Sequence, residues 1–186
     1  MKKELSVKKC TSEIFWGIVL HSIWLGIICG IVMGVLMGAI GSESVIVENV
    51  FSLAFSGIAL FLAAKLTNKS IVKKYNVNTE ILDKVVKRLW TIVIILGTIL
   101  LVARMLLLPM SIENEIEKLE NSYFITYDEE DIQKIRDELE AQLPSTYAIL
   151  IVFTLLSIGL ELVMMKYAVY DLKNKANEVN STVSNM

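Results

Sequence analysis

The chain has few of the residues that do acid–base or nucleophilic chemistry. Its 186 residues include one histidine, two cysteines and two prolines, and residues 14–40 contain no Asp, Glu, Lys or Arg. A single histidine inside an apolar run excludes a legible Ser-His-Asp arrangement, and no H-E-x-x-H or phosphate-cradling glycine loop occurs. Two cysteines 19 residues apart are too few for a disulfide framework. On one helix they would stand roughly 28 Å apart by axial rise, so they should not pair. Cys29, Met33 and Met37 recur every four residues, but no Met-x-x-Met or Cys-x-x-Cys accompanies them. No metal, cofactor or enzymatic activity is expected.

Apolar residues are abundant instead. They make up 54% of the chain and fall in blocks, which points to the bilayer as solvent. Four blocks are candidate spans: Ile14–Ile40, Val45–Leu66, Leu89–Met110 and Thr146–Tyr170. Each reaches the roughly 20 residues that cross ~30 Å of hydrocarbon. Glu48 and Asn49 interrupt the start of the second. The first is too long for a cleaved leader, whose apolar region runs about 7–15 residues, and no A-x-A site follows it.

Charge sets the expected topology. Residues 1–13 form an N-terminal tail with Lys2, Lys3, Lys8 and Lys9 against Glu4 and Glu13, and the connection 41–44 has no basic residue. Residues 65–88 carry seven basic and two acidic residues, a net charge of +5; residues 111–145 carry three basic and eleven acidic, a net charge of −8. Basic segments alternate with segments lacking a basic excess. Both termini, including the tail 171–186, and the basic connection 67–88 are therefore expected in the cytoplasm. The richness in Lys, Ile and Asn suggests a bacterial cell membrane. Trp16, Trp90, Tyr167 and Tyr170 suit an inner aromatic belt and Tyr147 an outer one.

The acidic segment 111–145 has helical periodicity. Ile112, Ile116 and Leu119 form one set, and Ile132, Ile135, Leu139 and Leu143 another. Asp128 with Asp131 resembles a capping box, and Pro109 and Pro144 mark the membrane junctions. Together these predict an all-α, polytopic membrane protein: a four-transmembrane-helix antiparallel bundle with an extracytoplasmic acidic αα-hairpin between helices 3 and 4. Thr79 is the expected cap of a helix that begins near Glu80 and continues into the third span.

Three groups of candidate site residues remain. Gly26, Gly30, Gly34 and Gly38 leave a side-chain-free stripe, and Ser52, Ser56, Ala59 and Ala63 offer a small-residue face on the second span. Mating of the two within one chain is the preferred expectation, ahead of a homo-oligomer interface and of a pore lining. The second group is intramembrane and polar. His21 and Glu161 fall at one depth, where a carboxylate beside an imidazole could relay protons or hold a cation. Arg104 lies nearer the outer side, with Glu113 or Glu48 as partners. The third group, Lys65, Lys69, Lys73 and Lys74, lies at headgroup level, where each basic residue near an anionic surface contributes about 1 kcal/mol.

Two functional classes follow. The first is a non-enzymatic accessory or scaffold protein, with close glycine-mediated packing and a protein partner at the external hairpin. The alternative is a small transporter or channel using His21, Glu161 and Arg104. The bilayer is the one certain partner of such a chain, and no nucleic acid is expected.

Overall fold

The computed structural model describes residues 3–40, 45–120 and 129–184. These form four long helices: α1 (Val7–Ile40), α2 (Val45–Lys74), α3 (Leu82–Glu120) and α4 (Glu129–Ser184). All four are long and apolar enough to cross a membrane. Two short strands, β1 (Lys3–Glu4) and β2 (Tyr75–Asn76), pair in parallel, with Lys3 opposite Tyr75 and Glu4 opposite Asn76. The helices outrun the apolar blocks read from sequence. Residues 67–74 of the basic connection continue α2, and residues 171–184 continue α4.

A short 3-10 turn, Thr79–Ile81, precedes α3. Its cap is Asn78 rather than Thr79: the Asn78 Oδ1 accepts the Glu80 N–H at 2.9 Å. Asparagine is among the best residues at this position, because its short carboxamide reaches the free N–H two residues on. Asp128, half of the expected capping box, lies outside the described residues, as do the connections 41–44 and 121–128.

The chain divides into two compact units. Unit 1 comprises Met1–Ile94 and Leu156–Met186. Its core draws on all four helices. Cys10, Ile14 and Ile18 recur every four residues on α1, and Leu82, Val85, Leu89 and Val93 recur at three and four on α3. Met165, Ala168, Val169, Leu172 and Ala176 give α4 the same period, and Ala63, Ala64 and Ile71 complete the core from α2. Leu5 and Val77, which flank the strand pair, are buried in this same core. One end of unit 1 thus gathers the start of α1, the link from α2 to α3 and the last turns of α4.

Polar contacts tie that end together. Asn68 is fully buried; its Nδ2 donates to Ala168 O (2.6 Å) and to Asp171 Oδ2 (2.9 Å). Lys175 Nζ reaches Asp171 Oδ2 at 2.7 Å, and Lys65 Nζ lies 3.5 Å from Oδ1. Tyr75 donates to Glu13 Oε1 at 2.8 Å, and the Trp90 indole N–H donates to Leu162 O at 3.0 Å.

Unit 2 is Ile95–Leu155, and both prolines lie within helices there. Pro109 has no N–H to offer the Met105 carbonyl four residues back. Tyr147 compensates: its hydroxyl donates to Met105 O at 3.3 Å. Beyond Pro109, Ile116 is buried while Glu113 and Glu117 are exposed. On α4, Ile132, Ile135 and Leu139 are partly buried and Glu130, Asp137, Glu138 and Glu140 exposed, in keeping with the amphipathic period of this segment.

Candidate functional site: a polar cavity among apolar helices

A cavity of about 290 Å³ opens between α1, α2 and α4 within unit 1. One face of each helix supplies it. From α1 come Ser22, Gly26, Cys29, Gly30 and Met33, at successive helical turns; from α2 come Ser52, Phe55, Ser56, Ala59 and Leu60; from α4 come Ser157 and Glu161, four residues apart. By axial rise, Ser22 is roughly 12 Å inside the first apolar block and Glu161 roughly 14 Å inside the fourth. The cavity therefore lies well within the apolar stretches of these helices.

Its chemistry is one carboxylate and four hydroxyls in apolar walls. Among the described residues Glu161 has neither an ion pair nor a hydrogen bond, and the buried Ser22 Oγ has no partner. A charged side chain at mid-bilayer costs about 3 kcal/mol on insertion scales, so such groups face protein or water rather than lipid. Glu161 does face a polar enclosure. Its charge can be balanced there by a proton or by one monovalent cation, with the serine oxygens as further neutral ligands.

Gly26 and Gly30 border this cavity, whereas Gly34 and Gly38 are not part of its lining. Apart from the adjoining residues and the backbone of α1 itself, no atom of the described residues lies within 4 Å of a Cβ built at Gly26, Gly30, Gly34 or Gly38. Phe55 and Leu60 share the cavity-facing side of α2 with Ser52, Ser56 and Ala59, so that side is not a smooth small-residue strip. Ala59 and Ala63 are buried. The tight approach of α1 to α2 is at Gly17, where a Cβ would collide with Thr67 Cγ2.

The other polar candidates go elsewhere. His21 is next to Ser22, yet one residue turns a helix by about 100°, so the two point apart. The His21 Nδ1 lies 2.6 Å from Gly17 O and 3.3 Å from Thr67 Oγ1, and the ring lines a separate pocket with Glu13 and Ser70. His21 and Glu161 thus line different cavities. Lys65 turns to Asp171 and lies over the stacked rings of Phe61 and Tyr167. Arg104 is exposed on α3, with no ion pair to Glu113 among the described residues. Lys69, Lys73 and Lys74 are exposed on the last turns of α2.

Ser22, Ser157, Asn68 and Asp171 did not stand out in the sequence. Ser157 and Glu161, spaced by four, were the available signal for the cavity. Asp171 and Lys175, also spaced by four, were the signal for the buried cluster. Comparison with protein-family models, with curated proteins and with solved structures finds no match.

Proposed function

We propose that this chain is a non-enzymatic, multi-pass membrane protein that takes up one positive charge, a proton or a monovalent cation, at Glu161, in the manner of a small transporter or channel. The observation that carries this reading is an unpaired carboxylate facing a serine-lined cavity within the apolar stretches of its helices. The topology that goes with it is an antiparallel four-helix bundle in a bacterial cell membrane, with both termini and the lysines 65, 69, 73 and 74 on the cytoplasmic side. The acidic segment 111–145 is then an external hairpin. Gly34 and Gly38, which lie beyond the cavity lining, are the part of the glycine stripe on which a second copy of the chain would pack.

Flux through liposomes tests the proposal. Protein reconstituted with a pH-sensitive dye inside should carry H⁺ or Na⁺ down an imposed gradient, and Glu161→Gln should cut that flux by about tenfold or more, because it removes the one intramembrane charge of the cavity. His21→Ala should leave the flux intact, since His21 lines another pocket. Equal flux in wild type and Glu161→Gln would refute the reading.

A second reading has its own support. α3 runs through Pro109 to Glu120 and α4 starts at Glu129, ahead of Pro144, so both apolar helices continue as acidic amphipathic arms. In an accessory or scaffold protein these arms would recruit an external partner. Removing residues 113–141 would then abolish co-purification of that partner, and unchanged co-purification would exclude this reading.

A further inference from the structure

We propose that a cleft between the first turns of α1 and α3 is a binding site for one anionic phospholipid. The cleft has a volume of about 510 Å³, within the range of pockets that hold small ligands. Lys8 and Arg88 are its charged residues, and Phe15, Trp16 and Ile92 are its apolar wall. Both cations are exposed, and neither has an ion-pair partner among the described residues.

Neighbouring groups sharpen the charge. Glu13 is the nearest acidic residue along α1, but its carboxylate is held by the Tyr75 hydroxyl at 2.8 Å and does not line the cleft. Lys9, next to Lys8, lies instead over the Tyr75 ring, 4.9 Å from its centroid. Among the described residues, the cleft therefore has two free positive charges and no negative one. Thr11 and Thr91 spend their hydroxyl protons on the Val7 and Lys87 carbonyls, whereas the exposed Ser12 is at the cleft with its hydroxyl available to a phosphate.

Depth selects a lipid over a soluble anion. Arg88 immediately precedes the third apolar block, and Lys8 precedes the first by six residues, about 9 Å along the helix. Phe15, Trp16 and Ile92 are inside the first turns of those blocks, and Trp16 is 57% exposed. A phosphate at Lys8, Arg88 and Ser12 thus has an apolar wall running from it into the hydrocarbon, where an acyl chain would lie. Basic pockets between membrane helices at headgroup level bind anionic lipids in this way.

The test is native mass spectrometry of the full chain with phosphatidylglycerol or phosphatidylcholine. Wild type should retain one phosphatidylglycerol in preference to phosphatidylcholine. Lys8→Gln with Arg88→Gln should weaken phosphatidylglycerol by about 30-fold, from two basic contacts at the headgroup. The unliganded double variant should melt where wild type does, because both side chains are unpaired. Ile92→Trp, which keeps both charges and fills the cleft, should also lose the lipid. An equal loss in Lys69→Gln with Lys73→Gln would overturn the site in favour of general surface charge. Retained phosphatidylglycerol in either cleft variant, or its displacement by millimolar inorganic phosphate, would overturn it too.

Discussion

Gly17 and Gly34 occupy the same apolar helix, yet a methyl group would meet opposite fates at the two. At Gly17 it would strike Thr67 Cγ2; at Gly34 it would meet nothing within 4 Å. Gly17→Ala should destabilise the protein by about 1–3 kcal/mol, the usual range for overpacking. Gly34→Ala should be neutral or stabilising by up to about 1 kcal/mol, because alanine favours a helix. Thermal unfolding in detergent, followed by circular dichroism, separates the two. Equal losses would mean that both glycines are packed. Spacing alone singled out the four-residue glycine series and passed over Gly17. Periodicity reveals a bare stripe, but the residue that fills it, or fails to, stands on another helix. The same limit hid Asn68, whose partner Asp171 is 103 residues away.

Elements were more legible than contacts, because an apolar block long enough to span hydrocarbon has few alternatives. Each of the four helices contains one of the four blocks, and the described parts of the acidic segment, up to 120 and from 129, are helical, with 121–128 outside the described residues. Their ends were less legible. Amphipathic segments such as 67–74 and 171–184 extend a helix without extending its apolar run. Pro109 shows how an element survives its own breaker. Its ring leaves the Met105 carbonyl free, and Tyr147 from α4 supplies the missing donor. Tyr147→Phe should therefore cost about 1 kcal/mol, the net worth of one such hydrogen bond. In a Pro109→Ala background, where a backbone N–H is restored to bond that carbonyl, the same substitution should cost much less. A double-mutant cycle on unfolding free energies measures this coupling, and additive effects would remove the proposed compensation.

For the molecule as a whole, unit 1 is locked at one end and hollow further in. The lock includes Tyr75, which donates to Glu13 and lies under Lys9. The hydrogen bond to Glu13, then burial and the Glu13 charge, push the Tyr75 phenol above its ordinary value. A phenol raised in the folded state stabilises that state fully below the unfolded value of about 10, and loses that contribution as pH rises through the folded value. Alkaline destabilisation should accordingly be steeper in wild type than in Tyr75→Phe, starting near pH 10, as read from melting temperatures across pH. Parallel curves would exclude Tyr75 as part of the lock. Leu5, Val77 and Ala176, far apart in sequence, meet in one core. The polar cavity was less legible, because serines scattered through apolar runs announce no common target.

The strand pair of that lock also carries a timetable. Lys3 and Glu4 emerge from the ribosome about seventy residues before Tyr75 and Asn76, their partners. Two helices long and apolar enough to cross a membrane are made between those moments. During that interval Leu5 and Cys10 have no core to enter, since Val85, Leu89 and Leu172 are made later still. The opening residues are thus synthesised early and seated late, and the order of synthesis leaves them without their core in the interval.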